Sequence, residues 1–97
     1  MTAMAARVHV WVTGRVQGVW FRGYTEHWAS SLALGGWVRN LGDCRVEIVA
    51  EGERAALEEF VDRLRTGPPA ARVERLEVRW EEPNGEFVDF RVVRPAY

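Results

Sequence analysis

The sequence contains no lysine. All thirteen of its basic residues are arginine, and fourteen acidic residues bring the formal net charge to −1. A chain with nearly balanced charge has no bulk attraction for nucleic acid or for an anionic membrane surface, so neither is an expected partner. Cysteine is also scarce. A single residue, Cys44, cannot form an intrachain disulfide, which excludes the disulfide framework of many small secreted proteins.

Long apolar segments are missing as well. The first ten residues, MTAMAARVHV, lack the apolar core of a signal peptide, and no run approaches the roughly 20 residues of a membrane-spanning helix. The length of 97 residues and the hydrophobic content of 47% are typical of one globular domain that needs no metal or disulfide to fold. We therefore expect residues 1–97 to form a single domain of a cytoplasmic, monomeric protein without a cofactor.

The hydrophobic pattern alternates between the two-residue period of strands and the helical period. The segments predicted are a strand at 7–14, a helix at 22–34, strands at 36–40 and 45–51, a helix at 53–65, and strands at 72–80 and 87–94. Gly35 and Gly36 are expected to stop the first helix, and the two middle strands to form a hairpin. Two helices can cover only one face of a mainly antiparallel sheet. The order β-α-β-β-α-β plus a fifth strand therefore predicts an α+β two-layer sandwich.

The segment between the first strand and the first helix, GRVQGVWFRGY at residues 14–24, has three glycines, two arginines and no acidic residue. N–H groups at a helix N-terminus lack partners and carry partial positive charge, and glycines let successive N–H groups converge on an anion. Arg22 can add a bidentate grip on a phosphate or a carboxylate. The loop therefore has the features of a tetrahedral-anion site. Its glycine spacing by itself is also that of a tight turn, and it fits neither the Walker nor the dinucleotide motif.

The fuller pattern resembles the acylphosphatase family. The resemblance is carried by GRVQGVWFRGYTEHWA, LGGWVRNLGD and VEIVAEG, and the length and order of elements match along the whole chain. It implies the family's ferredoxin-like sandwich, and it implies that Arg22 is the phosphate-binding catalytic arginine and that Asn40 holds the attacking water. The implied phosphate-binding loop consists of Arg15, Val16, Gln17, Gly18, Val19, Trp20 and Phe21.

The implied activity is hydrolysis of the carboxyl–phosphate bond of small acyl phosphates. Their carboxylate leaving group is good, so the enzyme must mainly place a water in line with the P–O bond and hold the phosphoryl oxygens. Backbone N–H groups and Arg22 suit the second task, and the uncharged amide of Asn40 suits the first. We expect no metal, and we expect the loop to hold inorganic phosphate or a similar anion as well.

Several other residues allow a functional interpretation beside a structural one. Glu26 and His27 are better explained by a solvated helix face than as a general base, and His9 and His27 lack the spacing of a zinc site. Trp20 can touch the acyl group of a substrate or simply pack. The hydrophobic stripes that contain Trp28, Leu57 and Phe60 are interpreted as core.

Two other functional classes share this order of elements. An RNA-binding sheet needs aromatic residues on its third strand, where this sequence has Glu47 and Glu51 on either side of Val49. A domain that binds phosphate without hydrolysing it is the stronger alternative. Asn40 argues against it, because a pure binding site needs no amide to orient a water.

The sequence departs from the family pattern at the turn after the second strand, where Cys44 follows Asp43 and the family usually has glycine. Glycine suits a positive φ, at which cysteine costs on the order of 1 kcal/mol. Either the turn is of another type, or Cys44 is strained. In the second case the local stability and the aim of Asn40 are affected, and an exposed thiol can link two molecules under oxidation.

Overall fold

The computed structural model describes residues 4–96. Its elements are β1 (Ala5–Arg15), α1 (Phe21–Ser31), β2 (Gly35–Asn40), β3 (Val46–Glu53), α2 (Arg54–Thr66), β4 (Arg72–Glu81) and β5 (Phe90–Val92). The strands form one sheet in the order β4-β1-β3-β2-β5, in which only the β2–β5 pair is parallel. The predicted ferredoxin-like sandwich is confirmed, with two helices and a mainly antiparallel sheet.

The core lies between the helices and one face of the sheet. In β1 the fully buried residues are Val8, Val10 and Val12, as the two-residue period predicts. Ile48 of β3 belongs to the same cluster, into which α2 inserts Phe60. Apolar area removed from water on this scale is the main stabilising contribution to a small domain.

The other face of the sheet carries charge around β3. Glu47 and Glu51 are both buried, at 7% and 8% exposure, because basic side chains of the neighbouring strands β1 and β2 pack against them. Glu47 accepts a hydrogen bond from Arg39 at 2.8 Å and pairs with His9 at 2.7 Å. An RNA-binding platform would present aromatic side chains at these central positions.

Helix α1 ends earlier than the sequence pattern predicted, at Ser31, and glycine does not end it. Ala33 takes a left-handed conformation with φ 57°, and its N–H binds the carbonyl of Ser30 at 3.2 Å. The N–H of Leu34 binds the carbonyl of Ala29 at 2.8 Å, which completes a Schellman motif. The predicted stops, Gly35 and Gly36, are therefore the first residues of β2.

The buried stripe of α1 is also rotated from the predicted one. Phe21, Thr25 and Ala29 are fully buried, whereas Tyr24 and Trp28 are only half-buried. Thr25 is tolerated in the core because its hydroxyl donates to the carbonyl of Phe21 at 2.8 Å.

Strand β5 is shorter than predicted, covering Phe90–Val92 instead of 87–94. β4 and β5 lie at opposite edges of the sheet, so the connection between them crosses one end of it. Glu51 holds this crossing by accepting the N–H groups of Asn84 at 3.1 Å and Gly85 at 3.0 Å. Within residues 4–96, no helix combines the length and apolar character needed to cross a membrane.

Candidate active site

The topology brings the β1–α1 loop and Asn40 to one end of the sheet. β1 and β2 both pair antiparallel with β3, so they run in the same direction and their carboxyl ends lie at the same end of the sheet. The loop follows β1 directly, and Asn40 is the last residue of β2. A hydrogen bond from Gln17 of the loop to Leu41 joins the two at 2.9 Å.

The backbone of the loop leaves its N–H groups free. In the part of the chain that the structure describes, the N–H groups of residues 17–20 have no acceptor on the backbone or on a side chain. Gly18 and Trp20 have positive φ angles of 73° and 66°, which turn the chain sharply. Two side chains anchor the loop to the core: Val16 is fully buried, and Val19 packs against the core. Successive free N–H groups in such a turn form an anion-binding concavity.

The start of α1 adds to this positive potential. The helix begins at Phe21 without a side-chain hydrogen bond at its N-cap, Trp20, and without an acidic residue in its first turn. Its first N–H groups and its dipole therefore face the loop uncompensated. Arg22 is half-buried there, and no carboxylate within residues 4–96 comes within 4.0 Å of its guanidinium. A cation without a protein counter-ion favours an anionic ligand.

Most of the predicted loop residues meet around one cavity of about 250 Å³. Its lining consists of Val16, Gly18, Trp20, Phe21, Arg22, Gly23 and Val92. A water molecule occupies about 30 Å³ of liquid, so this space accommodates a tetrahedral anion together with waters. Arg15 is exposed outside the cavity, and Gln17 is turned toward β2. Val19 and Asn40 do not line the cavity either.

Asn40 has a buried side chain with an unused acceptor. The residue is 7% exposed, and no group in residues 4–96 donates a hydrogen bond to its Oδ1. Its backbone is fixed, because its carbonyl accepts the N–H of Ala96 at 3.0 Å. An unpaired buried amide oxygen costs roughly 1–3 kcal/mol, so in a native protein it calls for an explanation.

The side chain of Gln17 has a role that the sequence did not reveal. Its Nε2 donates to the carbonyl of Leu41 and to the carbonyl of Arg45, both at 2.9 Å. The sequence indicated Gln17 only as a member of the phosphate-binding loop and assigned no contact to its side chain. Its acceptors are main-chain carbonyls, which leave no mark in the sequence.

Trp20 stands beside the cavity with 64% of its surface exposed. Its ring meets Tyr24 edge-on, with 6.3 Å between centroids, and covers Gly23, where a Cβ would collide with the indole. Tyr24 is fixed by a hydrogen bond to the carbonyl of Arg63 at 2.7 Å. Burial raises the pKa of Tyr24 above its ordinary value, although the charge of Arg63 acts in the opposite direction, so the phenol remains a donor.

The turn after β2 has the strained form of the two that were considered. Cys44 has a φ of 73°, and its N–H binds the carbonyl of Leu41 at 3.3 Å. The N–H of Leu41 in turn binds the carbonyl of Arg45 at 2.8 Å, which closes the turn. The thiol of Cys44 is exposed.

The remaining candidates lie away from the cavity. Glu26 and His27 are exposed on α1, as expected for a solvated helix face. Among residues 4–96, no group of three or more His, Cys, Asp or Glu side chains could hold a metal ion. A larger cavity of about 680 Å³ lies at the other end of the sheet, between Leu34, Glu51 and Phe87, and contains none of the predicted site residues.

Comparison with known proteins agrees with the fold. The acylphosphatase family model matches residues 8–92. An acylphosphatase of Methylococcus capsulatus (strain ATCC 33009 / NCIMB 11132 / Bath) is 53% identical over 88 residues, which are 91% of this chain and 96% of that protein. The crystal structure of acylphosphatase from Bacillus subtilis superposes with a TM-score of 0.88 at 38% identity, covering 93% of this chain and 99% of that one. Full-length HypF, in its phosphate- and nucleotide-bound form, matches with a TM-score of 0.89 at 28% identity over 99% of this chain and 13% of its own. This chain belongs to the acylphosphatase family.

Proposed function

We propose that this protein hydrolyses the carboxyl–phosphate bond of small acyl phosphates and releases a carboxylate and inorganic phosphate. The observation that carries the proposal is that a loop with free N–H groups and Asn40, whose buried amide oxygen has no partner within residues 4–96, lie at the same end of the sheet. The loop and Arg22 explain binding of a phosphoryl group. Binding alone gives no reason for an unpaired Oδ1 on Asn40, and the proposal assigns this acceptor to an attacking water.

In this proposal the phosphoryl oxygens are held by the N–H groups of residues 17–20 and by the guanidinium of Arg22. These donors are fixed before the substrate arrives, so they stabilise the charge of the transition state without reorganising. Asn40 accepts one O–H of a water and leaves a lone pair of that water aimed at phosphorus. Holding the water in line supplies the orientation that the reaction requires.

The bonds and charges balance without a general base. The water oxygen forms a bond to phosphorus as the bond from phosphorus to the acyl oxygen breaks, and the electron pair leaves with the carboxylate. A dianionic acyl phosphate and water thereby give a carboxylate and dihydrogen phosphate, with both water protons on the phosphate. The step uses no metal, because N–H and guanidinium donors carry the charge stabilisation.

The test is hydrolysis of benzoyl phosphate, in the presence of a chelator, by the wild type and by Arg22→Ala and Asn40→Ala. Each variant should lose about a hundredfold or more in kcat/KM, the typical cost of removing one preorganised transition-state contact. Arg54→Ala and Asn84→Ala are matched controls on exposed residues away from the site, and they should keep wild-type rates. Circular dichroism and thermal unfolding establish that all four variants are folded.

Two results would contradict the proposal. A folded wild type that binds inorganic phosphate but leaves benzoyl phosphate intact would make the loop a recognition site. Full activity of folded Arg22→Ala and Asn40→Ala would remove these two residues from the mechanism even if the protein were active.

A further inference from the structure

The side chain of Gln17 bridges two parts of the site that the backbone does not connect directly. Its amide nitrogen donates to the carbonyls of Leu41 and Arg45, both at 2.9 Å. Gln17 itself lies in the loop whose N–H groups have no acceptor within residues 4–96, and Leu41 is the residue after Asn40. Among the residues described, no other hydrogen bond joins residues 16–20 to residues 40–45.

The two acceptors are the two ends of one turn. The N–H of Leu41 binds the carbonyl of Arg45 at 2.8 Å, so that carbonyl serves both Leu41 and Gln17. The turn between them contains Cys44 at φ 73°. A turn that includes an unfavourable residue is fixed better by contacts from outside than by its own preference. Gln17 supplies such a contact from the side of the phosphate loop.

Asn40 is held from its other side by the C-terminal segment. Its carbonyl accepts the N–H of Ala96 at 3.0 Å, and the carbonyl of Ala96 accepts the N–H of Gly42 at 3.0 Å. These bonds fix Asn40 relative to the sheet edge. They do not fix it relative to the loop, and in-line attack depends on the separation between the loop and the amide of Asn40.

We propose that Gln17 is a positioning residue that sets the distance between the phosphate-holding loop and the amide of Asn40. The inference rests on the proposed function. The backbone N–H of Gln17 is one of the loop donors, but its side chain is engaged with Leu41 and Arg45 and is assigned no contact with the substrate or the water. It acts through Asn40, by holding the turn that follows it against the loop. Its loss should therefore affect the rate of the chemical step more than the binding of phosphate.

The experiment uses Gln17→Met, which keeps the length of the side chain and removes both donors, and Gln17→Asn, which keeps the amide on a shorter stem. Steady-state hydrolysis of benzoyl phosphate gives kcat and KM, and competition by inorganic phosphate gives its inhibition constant. Tyr24→Phe is the matched control, because it removes another side-chain bond to a main-chain carbonyl, that of Arg63 at 2.7 Å. Urea unfolding measures the stability of every variant.

Gln17→Met should lower kcat by about ten- to a hundredfold, the loss expected when a catalytic group shifts by about 1 Å. The inhibition constant of phosphate should change less than about threefold, because the loop donors remain. In an Asn40→Ala background the same substitution should lower kcat less than about twofold, since residues that act as a unit are not additive. Tyr24→Phe should keep wild-type kcat.

Other outcomes overturn the inference. An equal loss from Gln17→Met with and without Asn40 would mean that Gln17 does not act through Asn40. If the inhibition constant of phosphate rises enough to account for the whole loss of activity in Gln17→Met, Gln17 shapes only the anion site. If Gln17→Met is unfolded, the same comparisons are made with Gln17→Asn. An inactive wild type removes the proposed function together with this role, whereas full kcat in folded Gln17 variants removes this role alone.

Discussion

Cys44 is held in a backbone conformation that its side chain disfavours. At a φ of 73°, the Cβ of a non-glycine residue crowds the following carbonyl, which costs roughly 1–2 kcal/mol. The turn persists because the N–H groups of Cys44 and Leu41 both find acceptors within it. The strained residue therefore lies in the turn that directly follows Asn40, the residue proposed to hold the attacking water.

Cys44→Gly should raise the free energy of unfolding by about 0.5–1 kcal/mol, because glycine has no Cβ to crowd the carbonyl. The gain is smaller than the full strain, since glycine also gives the unfolded chain more freedom. Urea unfolding under reducing conditions measures it. Cys44→Ala removes the thiol but keeps the Cβ, so it should leave stability unchanged. An equal gain from both substitutions would show that the thiol, and not the backbone angle, is the unfavourable feature.

At the scale of elements, helix α1 is shaped by how its two ends satisfy hydrogen bonds. Its N-terminus has no side-chain cap, which leaves donors for an anion, and its C-terminus is closed by the Schellman bonds of Ala33 and Leu34. Sequence reasoning placed the stop at Gly35 and Gly36, since glycine is the usual left-handed residue at this position. Those glycines serve β2 instead. A Cβ on Gly36 would strike the backbone of Val49, and one on Gly35 would lie 2.7 Å from the Cβ of Phe87.

Ala33→Gly should stabilise the protein by about 0.5–1 kcal/mol, because Ala33 occupies the left-handed position that ends α1. Ser31→Gly, two residues earlier and inside the helix, should destabilise it by a few tenths of a kcal/mol. Thermal or urea unfolding of the two variants gives opposite signs if the helix ends as described. Destabilisation by both would mean that Ala33 is not in a left-handed conformation in solution.

At the scale of the whole molecule, the open face of the sheet makes stability depend on pH. Burial opposes ionisation of Glu51, but hydrogen bonds from Arg7 and from the N–H groups of Asn84 and Gly85 outweigh it and hold the pKa of Glu51 below its ordinary 4.5. The pKa of Glu47 is also held below its ordinary value. Burial again acts against ionisation, but the hydrogen bonds from His9 and Arg39 lower its pKa. Both carboxylates thus bind fewer protons in the folded state than in the unfolded chain.

Glu47 and Glu51 should therefore contribute fully to the free energy of unfolding above about pH 4.5. This contribution should be lost as the pH falls toward their lower folded-state pKa values. Urea unfolding between pH 7 and pH 3 measures the slope. Glu51→Gln should be less stable at pH 7 and should flatten the curve below pH 4.5. A variant curve parallel to that of the wild type would mean that Glu51 is not the source of the acid sensitivity.

How much of the molecule was predictable differs between local and distant features. The strands, the helices and the loop followed from periodicity and turn residues, since these depend on neighbours in sequence. The roles of Arg22 and Asn40 came from resemblance to a family, and they stay predictions until the variants are assayed. The opposite-edge positions of β4 and β5, and the partners of Gln17, depend on contacts between distant segments and main-chain carbonyls. Single-sequence patterns do not encode such contacts.

The β2–β5 edge also bears on the order in which the molecule opens. β1 is hydrogen-bonded along its length to β3 and β4, whereas β5 spans three residues at the margin of the sheet. Short edge segments fray at a small fraction of the global unfolding free energy, so residues 90–96 should exchange their amide hydrogens long before β1 does. The bond from Ala96 to Asn40 makes this fraying matter. Asn40 is bonded to the segment that frays first, while β1 stays paired on both sides. Moderate heating should therefore reduce activity at temperatures at which the central strands of the sheet are still folded.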